Sequence, residues 1–205
     1  MDKRTSDTIR AYNTMGKQYL ADIEALIPFE RDEFVKSLKP GSRILDVGCA
    51  GGRDSEFFVH HGFEVFGIDL SDVFLQEAKK RVPEATFVSM DATQLDFPQE
   101  NFDGIWANAV LLHIAKKDIS GVLQKMHRML KANGILHIRV KEGVGETSVK
   151  DTLSKDVART FTFFSKMEIE ELVLASGFAS VRSQIITDET RREGVNWISL
   201  FATKK

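Results

Sequence analysis

The feature that most constrains the fold is an alternation that begins at Ser42. Short runs rich in β-branched and aromatic residues alternate with segments of helical periodicity from there to the end of the chain. Parallel strands need crossover connections of a dozen or more residues, usually helices, so this alternation predicts a mostly parallel sheet. Seven strands are predicted, at residues 43–47, 64–68, 86–90, 102–108, 135–141, 179–187 and 195–203. We therefore expect an α/β fold.

Several of the intervening helices carry terminal signals. Ser71 occupies a predicted N-cap position, and Ser165 with Glu168 forms the pattern of a capping box. Glycine at Gly177 and the Asn133-Gly134 pair are typical of helix C-termini. The last two predicted strands are separated by residues 188–194 only, which is too short for a parallel crossover. We expect these two strands to be antiparallel.

The segment before the sheet has a different character. Two helices are predicted there, at residues 9–20 and 30–38. A chain of 205 residues suits one domain with a sizeable core. We therefore expect a single domain over residues 1–205, with a helical cap or lid at residues 1–41 and the core at residues 42–205.

Composition excludes several classes of protein. The 28 Lys and Arg residues against 30 Asp and Glu residues give a formal charge of −2, so a broad basic field for nucleic acid is not expected. Cys49 is the only cysteine, which excludes an intramolecular disulfide and a multi-cysteine zinc site, and no metal site is predicted. No signal-peptide pattern and no run of about 18 apolar residues is present, so we expect a cytoplasmic location without a membrane partner.

A turn of small residues follows the first strand, from Asp46 through Gly48, Ala50 and Gly52. Such a turn lets a nucleotide-type ligand approach the backbone closely. The dinucleotide pattern G-x-G-x-x-G would need glycine at Ala50 and at Arg53, so a pyrophosphate cofactor fits poorly. A tight strand-to-helix turn without a ligand is the alternative interpretation.

Two more carboxylates favour a ligand at this edge. Asp69 ends the second strand about 20 residues after the turn, where an acidic side chain can accept both ribose hydroxyls. Asp91 follows the third strand, where it can accept a hydrogen bond from an amino group such as that of adenine. Together with Asp46, these residues place a carboxylate after three successive strands, at the edge where open α/β sheets bind ligands.

On these residues the sequence resembles the class I S-adenosylmethionine-dependent methyltransferases, from about Tyr12 onward. The family motif D-x-G-x-G-x-G matches Asp46, Gly48 and Gly52, with Ala50 in place of the middle glycine. The resemblance assigns the ribose ligand to Asp69, followed by Leu70, and the adenine contacts to Asp91 and Ala92. It implies S-adenosylmethionine as cofactor and S-adenosylhomocysteine as product.

Two further stretches extend the resemblance. The stretch at residues 130–136 is similar to the family's turn into the fifth strand, and the one at residues 141–146 resembles small bacterial methyltransferases of the tellurite-resistance-like group. The family implies a Rossmann-like sheet with strand order 3-2-1-4-5-7-6, an antiparallel strand 7 and helices on both faces. This order agrees with the short last connection.

Other candidate residues are tied to the methyl transfer itself. His113 is the candidate general base, because it follows the fourth strand and its ordinary pKa suits neutral pH. Asn108 is a candidate contact to the cofactor or the acceptor, and Tyr12 and Tyr19 share one face of the first helix, where they could cover the cofactor. The alternatives are a structural histidine and plain packing of that helix.

The acceptor is the least constrained part of the prediction. Lys141 at the end of the fifth strand, and Arg191 and Arg192 in the last connection, are candidate acceptor contacts. The two arginines suit an anionic acceptor, although Asp188, Glu189 and Glu193 could pair with them on a solvated hairpin.

The predicted function is methyl transfer to a small molecule, by a monomer or a homodimer. The alternatives are a catalytically silent cofactor-binding protein and a methyltransferase acting on RNA or protein.

Overall fold

The computed structural model describes residues 3–149, 157–187 and 195–205. Its elements in chain order are α1 (Lys3–Glu24), α2 (Glu30–Lys36), β1 (Arg43–Val47), α3 (Arg53–His60), β2 (Glu64–Asp69), α4 (Asp72–Arg81), β3 (Thr86–Ser89), β4 (Phe102–Asn108), α5 (Ile119–Met129), β5 (Leu130–Lys141), β6 (Glu146–Val149), β7 (Arg159–Thr162), α6 (Lys166–Ala175), β8 (Ser180–Thr187) and β9 (Asn196–Thr203). Short 3₁₀ turns lie at Ala92–Gln94, Leu111–His113 and Lys116–Asp118.

The main sheet has the order β3-β2-β1-β4-β5-β9-β8. The pairs from β3 to β5 are parallel, and β9 is antiparallel to both β5 and β8. Strands β8 and β9 are the predicted strands 6 and 7. The predicted order, and the antiparallel seventh strand, are therefore confirmed.

Both faces of the sheet are covered, as the buried strand β1 requires. Ile44 packs with Phe34 of α2 and Phe58 of α3, whereas Leu45 and Val47 belong to the cluster that contains the apolar faces of α5 and α6. Successive side chains of a strand point to opposite faces, so helices lie on both sides of the sheet, as predicted.

Two helix caps also follow the sequence. The Ser71 hydroxyl accepts a hydrogen bond from the amide of Phe74, and Ser165 and Glu168 form a complete capping box at the start of α6. Gly177 lies just beyond the end of α6 with φ of 102°, a conformation that glycine adopts without steric cost.

Other boundaries were predicted wrongly. Helix α5 ends at Met129, because strand pairing of β5 with β4 already starts at Leu130. Asn133, with φ of 61°, and Gly134 form a bend inside β5 and do not end the helix. No strand was predicted between residues 141 and 179, yet β6 and β7 lie there and pair as a separate antiparallel ribbon.

Helix α1 extends beyond the predicted residues 9–20 and is kinked at Gly16, where φ is 51° and ψ is −134°. Both ends of α1 are attached to the sheet side. The Arg4 guanidinium donates to the carbonyl oxygens of His113 (3.1 Å) and Ile114 (3.2 Å). Arg53 donates to the carbonyl oxygens of Ile23 (2.7 Å) and Leu26 (2.8 Å). No helix among the described residues is long and apolar enough to cross a membrane.

Candidate active site

A cavity of about 1470 Å³ lies between α1 and the carboxyl ends of the parallel strands. Ligand sites usually occupy about 300–1,000 Å³, so this cavity has room for two ligands. It brings together most of the predicted site residues, namely Tyr12, Tyr19, Asp46, Gly48, Ala50, Asp69, Leu70, Asp91, Ala92, Asn108, His113 and Lys141. Gly52 is not part of the lining, and Arg191 and Arg192 lie outside the described residues.

The turn after β1 is built from left-handed backbone. Gly48 has φ of 73°, and Ala50 has φ of 46°, a region that costs a non-glycine residue about 1–2 kcal/mol. The amides of Gly48 and Cys49 both donate to the carbonyl oxygen of Ile68, at 2.8 and 2.9 Å. These bonds fix the turn against the end of β2, beside Asp69.

Gly52 has a packing role in the structure. It precedes α3 with φ of 80°, and a Cβ added there would lie 3.2 Å from Cα of Ala78 in α4. The missing side chain therefore lets α3 and α4 approach each other. The motif predicted that Gly52 contacts the cofactor, whereas its neighbours in the structure indicate a role in helix packing.

Asp69 is held by backbone amides. Its Oδ2 accepts from the amide of Ala50 at 3.0 Å, and its Oδ1 accepts from the amide of Ser71 at 2.8 Å. Burial raises the pKa of Asp69, while these amides act in the opposite direction. Each carboxylate oxygen has two lone pairs, so both oxygens retain an acceptor site for a vicinal diol such as ribose.

Asp91 caps the short turn at Ala92–Gln94. Its Oδ1 accepts from both the amide and the hydroxyl of Thr93, each at 2.8 Å. Among the described residues, its Oδ2 has no hydrogen-bond donor, and Asp91 and Ala92 line the cavity. This oxygen suits an amino group of a ligand, as the sequence predicted for adenine.

Asp46 lies beneath the turn and is almost fully buried, with 3% of its surface exposed. Burial, followed by the charge of Asp54, raises the pKa of Asp46 to about 8. The Ser55 hydroxyl donates to Asp46 Oδ2 at 2.6 Å. At neutral pH the side chain is therefore largely protonated, which suits its buried position.

Asp54 organises a group that the sequence analysis did not single out. Its carboxylate accepts from Arg53 Nε (2.9 Å), Trp106 Nε1 (3.0 Å) and Asn108 Nδ2 (3.1 Å). Burial acts to raise the pKa of Asp54, but Arg53 and these donors hold it below its ordinary value. The Asn108 amide nitrogen is thereby engaged, and its carbonyl oxygen is left as an acceptor at the cavity. The contact between Asn108 and Asp54 depends on the pairing of β4 with β1, so the sequence alone did not indicate it.

The aromatic residues of α1 form one group over the cavity. Tyr12 and Tyr19 pack edge-to-face with ring centroids 4.9 Å apart, and both rings contact Phe74 of α4 at 5.9 and 5.6 Å. Such faces suit a sulfonium cation. The placement agrees with the predicted shared helix face.

His113 contacts the same helix. The Tyr12 hydroxyl and His113 Nε2 are 2.7 Å apart. Burial, followed by nearby positive residues that include Arg159 and Lys141, lowers the pKa of His113 to about 3. An imidazole with such a pKa is a weak proton acceptor at neutral pH. The geometry therefore favours a neutral His113 that positions Tyr12. It does not favour the predicted role of general base.

The cavity continues past His113 to five residues that form what we call its basic end. These are Arg139, Lys141, Arg159, Phe161 and Trp197. Lys141 was a predicted acceptor contact, but the other four were missed. Arg139 shares a face of β5 with Lys141 at spacing i, i+2, a signal visible in the sequence. Arg159 and Phe161 belong to β7, which no periodicity revealed.

These residues fit the cofactor that the sequence predicts. The left-handed turn leaves backbone close to the cavity, Asp69 keeps two acceptor sites for a diol, and Asp91 keeps one for an amino group. When bound, S-adenosylmethionine would supply an electrophilic methyl group on its sulfonium, so the protein has to bind, align and exclude water.

Comparison with known proteins supports a methyltransferase. A family profile described as a methyltransferase domain matches residues 44–134. An uncharacterized methyltransferase of Synechocystis is 32% identical over 99 residues, which are 48% of this chain and 47% of that relative. Other relatives carry names that refer to phosphoethanolamine, a protein lysine and demethylmenaquinone. The chain spans less than two thirds of the length of each of these curated relatives.

Solved structures share the fold. The 1,6-didemethyltoxoflavin-N1-methyltransferase of Burkholderia thailandensis superposes with a TM-score of 0.77 at 24% identity, over 98% of this chain and 87% of that one. A TehB-like methyltransferase of Corynebacterium glutamicum gives 0.69 at 21% identity, over 92% of this chain and 96% of that one. Residues 44–134 thus match a methyltransferase domain, and the relatives support the predicted resemblance to class I S-adenosylmethionine-dependent methyltransferases.

Proposed function

We propose that this protein transfers a methyl group from S-adenosylmethionine to a small-molecule acceptor. The observation that carries the proposal is the single cavity that extends from Asp69 and Asp91 past His113 to Lys141, with α1 over it. Its size suits a cofactor and one small acceptor together. The Tyr12 and Tyr19 rings restrict access from the α1 side, which disfavours a large polymeric acceptor.

Two further observations support a small acceptor. The formal charge of −2 provides no extended basic surface for RNA. The structurally similar methyltransferase of B. thailandensis is described with bound 1,6-didemethyltoxoflavin and S-adenosylhomocysteine. The same fold also occurs in a [4+2]-cyclase, at 19% identity and a TM-score of 0.69, so fold alone does not decide the reaction.

The test has two stages. Calorimetry should detect S-adenosylmethionine and S-adenosylhomocysteine at micromolar affinity, and no binding of NAD. Release of S-adenosylhomocysteine is then measured against panels of small molecules, peptides and RNA. Turnover with a small molecule supports the proposal. Cofactor binding without turnover on any panel indicates a silent binding protein, and turnover confined to RNA or peptides contradicts the small-molecule acceptor.

A further inference from the structure

Acidic and basic side chains line different parts of the cavity. The carboxylates of Asp69 and Asp91 lie at the ends of β2 and β3, whereas Arg139 and Lys141 lie on β5 and Arg159 on β7. Strands in a sheet are about 4.8 Å apart, so β2 and β5 are separated by about 14 Å in the order β2-β1-β4-β5. The cofactor positions and the basic end are thus different parts of one cavity.

Lys141 is the centre of the basic end. It is 8% exposed, and its Nζ lies 3.9 Å from the ring centroid of Phe161 and 5.9 Å from that of Trp197. Trp197 is the direct cross-strand neighbour of Lys141 in the β5–β9 pair. The ammonium is therefore held at the cavity wall by two aromatic side chains, which attract a cation through their ring faces.

Arg159 and Arg139 flank this lysine. Arg159 is 5% exposed, and its guanidinium carbon lies 5.3 Å from the Tyr12 ring centroid and 5.4 Å from that of Phe161. The guanidinium carbon of Arg139 lies 4.9 Å from the Trp197 ring. Arg139 is also 4.0 Å from the buried carboxylate of Glu30, which compensates part of the positive charge.

The positive side chains of the basic end also influence His113, in the middle of the cavity. After burial, Arg159, Lys141 and Arg4 are the positive groups that lower the pKa of His113. A histidine at the middle of the cavity thus experiences the positive field of the basic end. That field would attract an anion to the side of the cavity away from Asp69 and Asp91.

We propose that the basic end binds the acceptor through an oxyanion, a carboxylate or phosphate attached to a planar aromatic body. Lys141 and Arg159 would hold the oxyanion, since guanidinium and ammonium groups make charge-assisted hydrogen bonds to such groups. The faces and edges of Phe161, Trp197 and Tyr12 would contact the aromatic body. This inference rests on the proposed function and specifies the class of its substrate.

The experiment uses the full chain loaded with S-adenosylhomocysteine, whose binding is first measured by calorimetry. Saturation-transfer NMR then compares 4-hydroxybenzoate, phenyl phosphate, the neutral 4-hydroxybenzamide and the cationic benzylamine. We expect the two anions to bind and the amide and amine to bind at least about tenfold more weakly, the loss expected for one charge-assisted interaction. The stronger of the two anions identifies the oxyanion.

Variants assign the effect to residues. Lys141→Met and Arg159→Met should each weaken binding of the preferred anion by about tenfold, whereas Lys141→Arg should keep most of it because the charge remains. Lys166→Met and Arg182→Met are matched controls, since both side chains are more exposed and neither lines the cavity. Circular dichroism checks that each variant is folded, and the acid-to-amide comparison in the wild-type protein does not depend on any variant.

Three results would overturn the inference while leaving the proposed function intact. The first is equal binding of the anions and the amide to the loaded protein. The second is no binding of either anion to the loaded protein. The third is that Lys141→Met and Arg159→Met weaken the binding of S-adenosylhomocysteine and leave binding of the anion unchanged, which would assign these cations to the cofactor. If the wild-type protein does not bind S-adenosylhomocysteine at all, the proposed function itself fails.

Discussion

The Tyr12 hydroxyl lies 2.7 Å from His113 Nε2, a contact between two residues that are 101 positions apart in the chain. It joins α1 to the turn after β4 and covers part of the imidazole. Burial lowers the pKa of His113 from the usual 6.5 to about 3, so the folded protein disfavours imidazolium. The contact therefore couples the position of α1 to the protonation of His113.

The first prediction concerns the stability of the protein in acid. Between pH 6.5 and about 3 the unfolded chain binds a proton at His113 that the folded chain does not, so stability falls as the pH is lowered through this window. The loss from this residue is about 2 kcal/mol between pH 6.5 and 5. In the His113→Gln variant, whose amide can still reach Tyr12, this pH-dependent loss of stability should be absent. Urea unfolding at both pH values measures the free energy of unfolding, and equal losses in the variant and the wild type would contradict the prediction.

The second prediction concerns Asp46, whose pKa is raised to about 8 by burial and by Asp54. The folded protein keeps a proton that the unfolded chain releases above the usual 3.8, so this residue destabilises the fold increasingly as the pH rises toward 8. Asp46→Asn resembles the protonated side chain and can still accept from Ser55.

We expect the Asp46→Asn variant to gain stability over the wild type, with a gain that grows from pH 5 to pH 8. Thermal unfolding at several pH values measures the gain. Asp72→Asn, an exposed carboxylate at the start of α4, is the control and should show no such increase. A gain that is independent of pH would mean that Asp46 is ionised in the folded protein.

The sheet was predictable because its strands are locally encoded. The 43–47 and 102–108 strands were predicted at their observed bounds, since β-branched and apolar runs there end at clear turn residues. The ribbon of β6 and β7 was missed because each strand has four residues, and their pairing is a contact between segments about ten residues apart. Neither strand has enough length for a period to be recognised.

The acidic part of the site was predictable from spacing alone, because Asp69 and Asp91 lie at the ends of strands of a parallel sheet. The properties of His113 were not predictable, since its pKa depends on burial under α1 and on Arg159. Gly48 shows another limit of motif reasoning. A Cβ there would lie 2.7 Å from Cβ of Val110, so Gly48→Val would disturb protein packing as well as any cofactor.

The third prediction separates ribose binding from turn structure. Asp69→Ala removes the acceptor of the Ala50 and Ser71 amides as well as the proposed ribose ligand, and Asp69→Asn keeps one oxygen acceptor. We expect Asp69→Ala to lose about 1.5–3 kcal/mol of binding free energy for S-adenosylhomocysteine, the range for hydrogen bonds to a charged group. Asp69→Asn should lose less, and the exposed Asp72→Ala should lose nothing. Calorimetry that finds equal affinity in Asp69→Ala and the wild type would exclude the ribose assignment.

The last prediction concerns α1 as a lid over the cavity. Arg4 ties the start of α1 to the carbonyl oxygens of His113 and Ile114, and the Gly16 kink separates this part of the helix from the part near Arg53. A ligand as large as S-adenosylmethionine must pass between α1 and the strand ends, so we expect the first part of α1 to open and close.

Hydrogen exchange of residues 9–20 should therefore slow when S-adenosylhomocysteine binds. Arg4→Ala should speed exchange there in the free protein and raise the rate of ligand release. Arg10→Ala is the matched control, because Arg10 lies on the same helix, is 67% exposed and pairs with its neighbour Asp7. Unchanged protection on ligand binding, or equal effects of the two arginine variants, would indicate that α1 is a fixed part of the cavity wall.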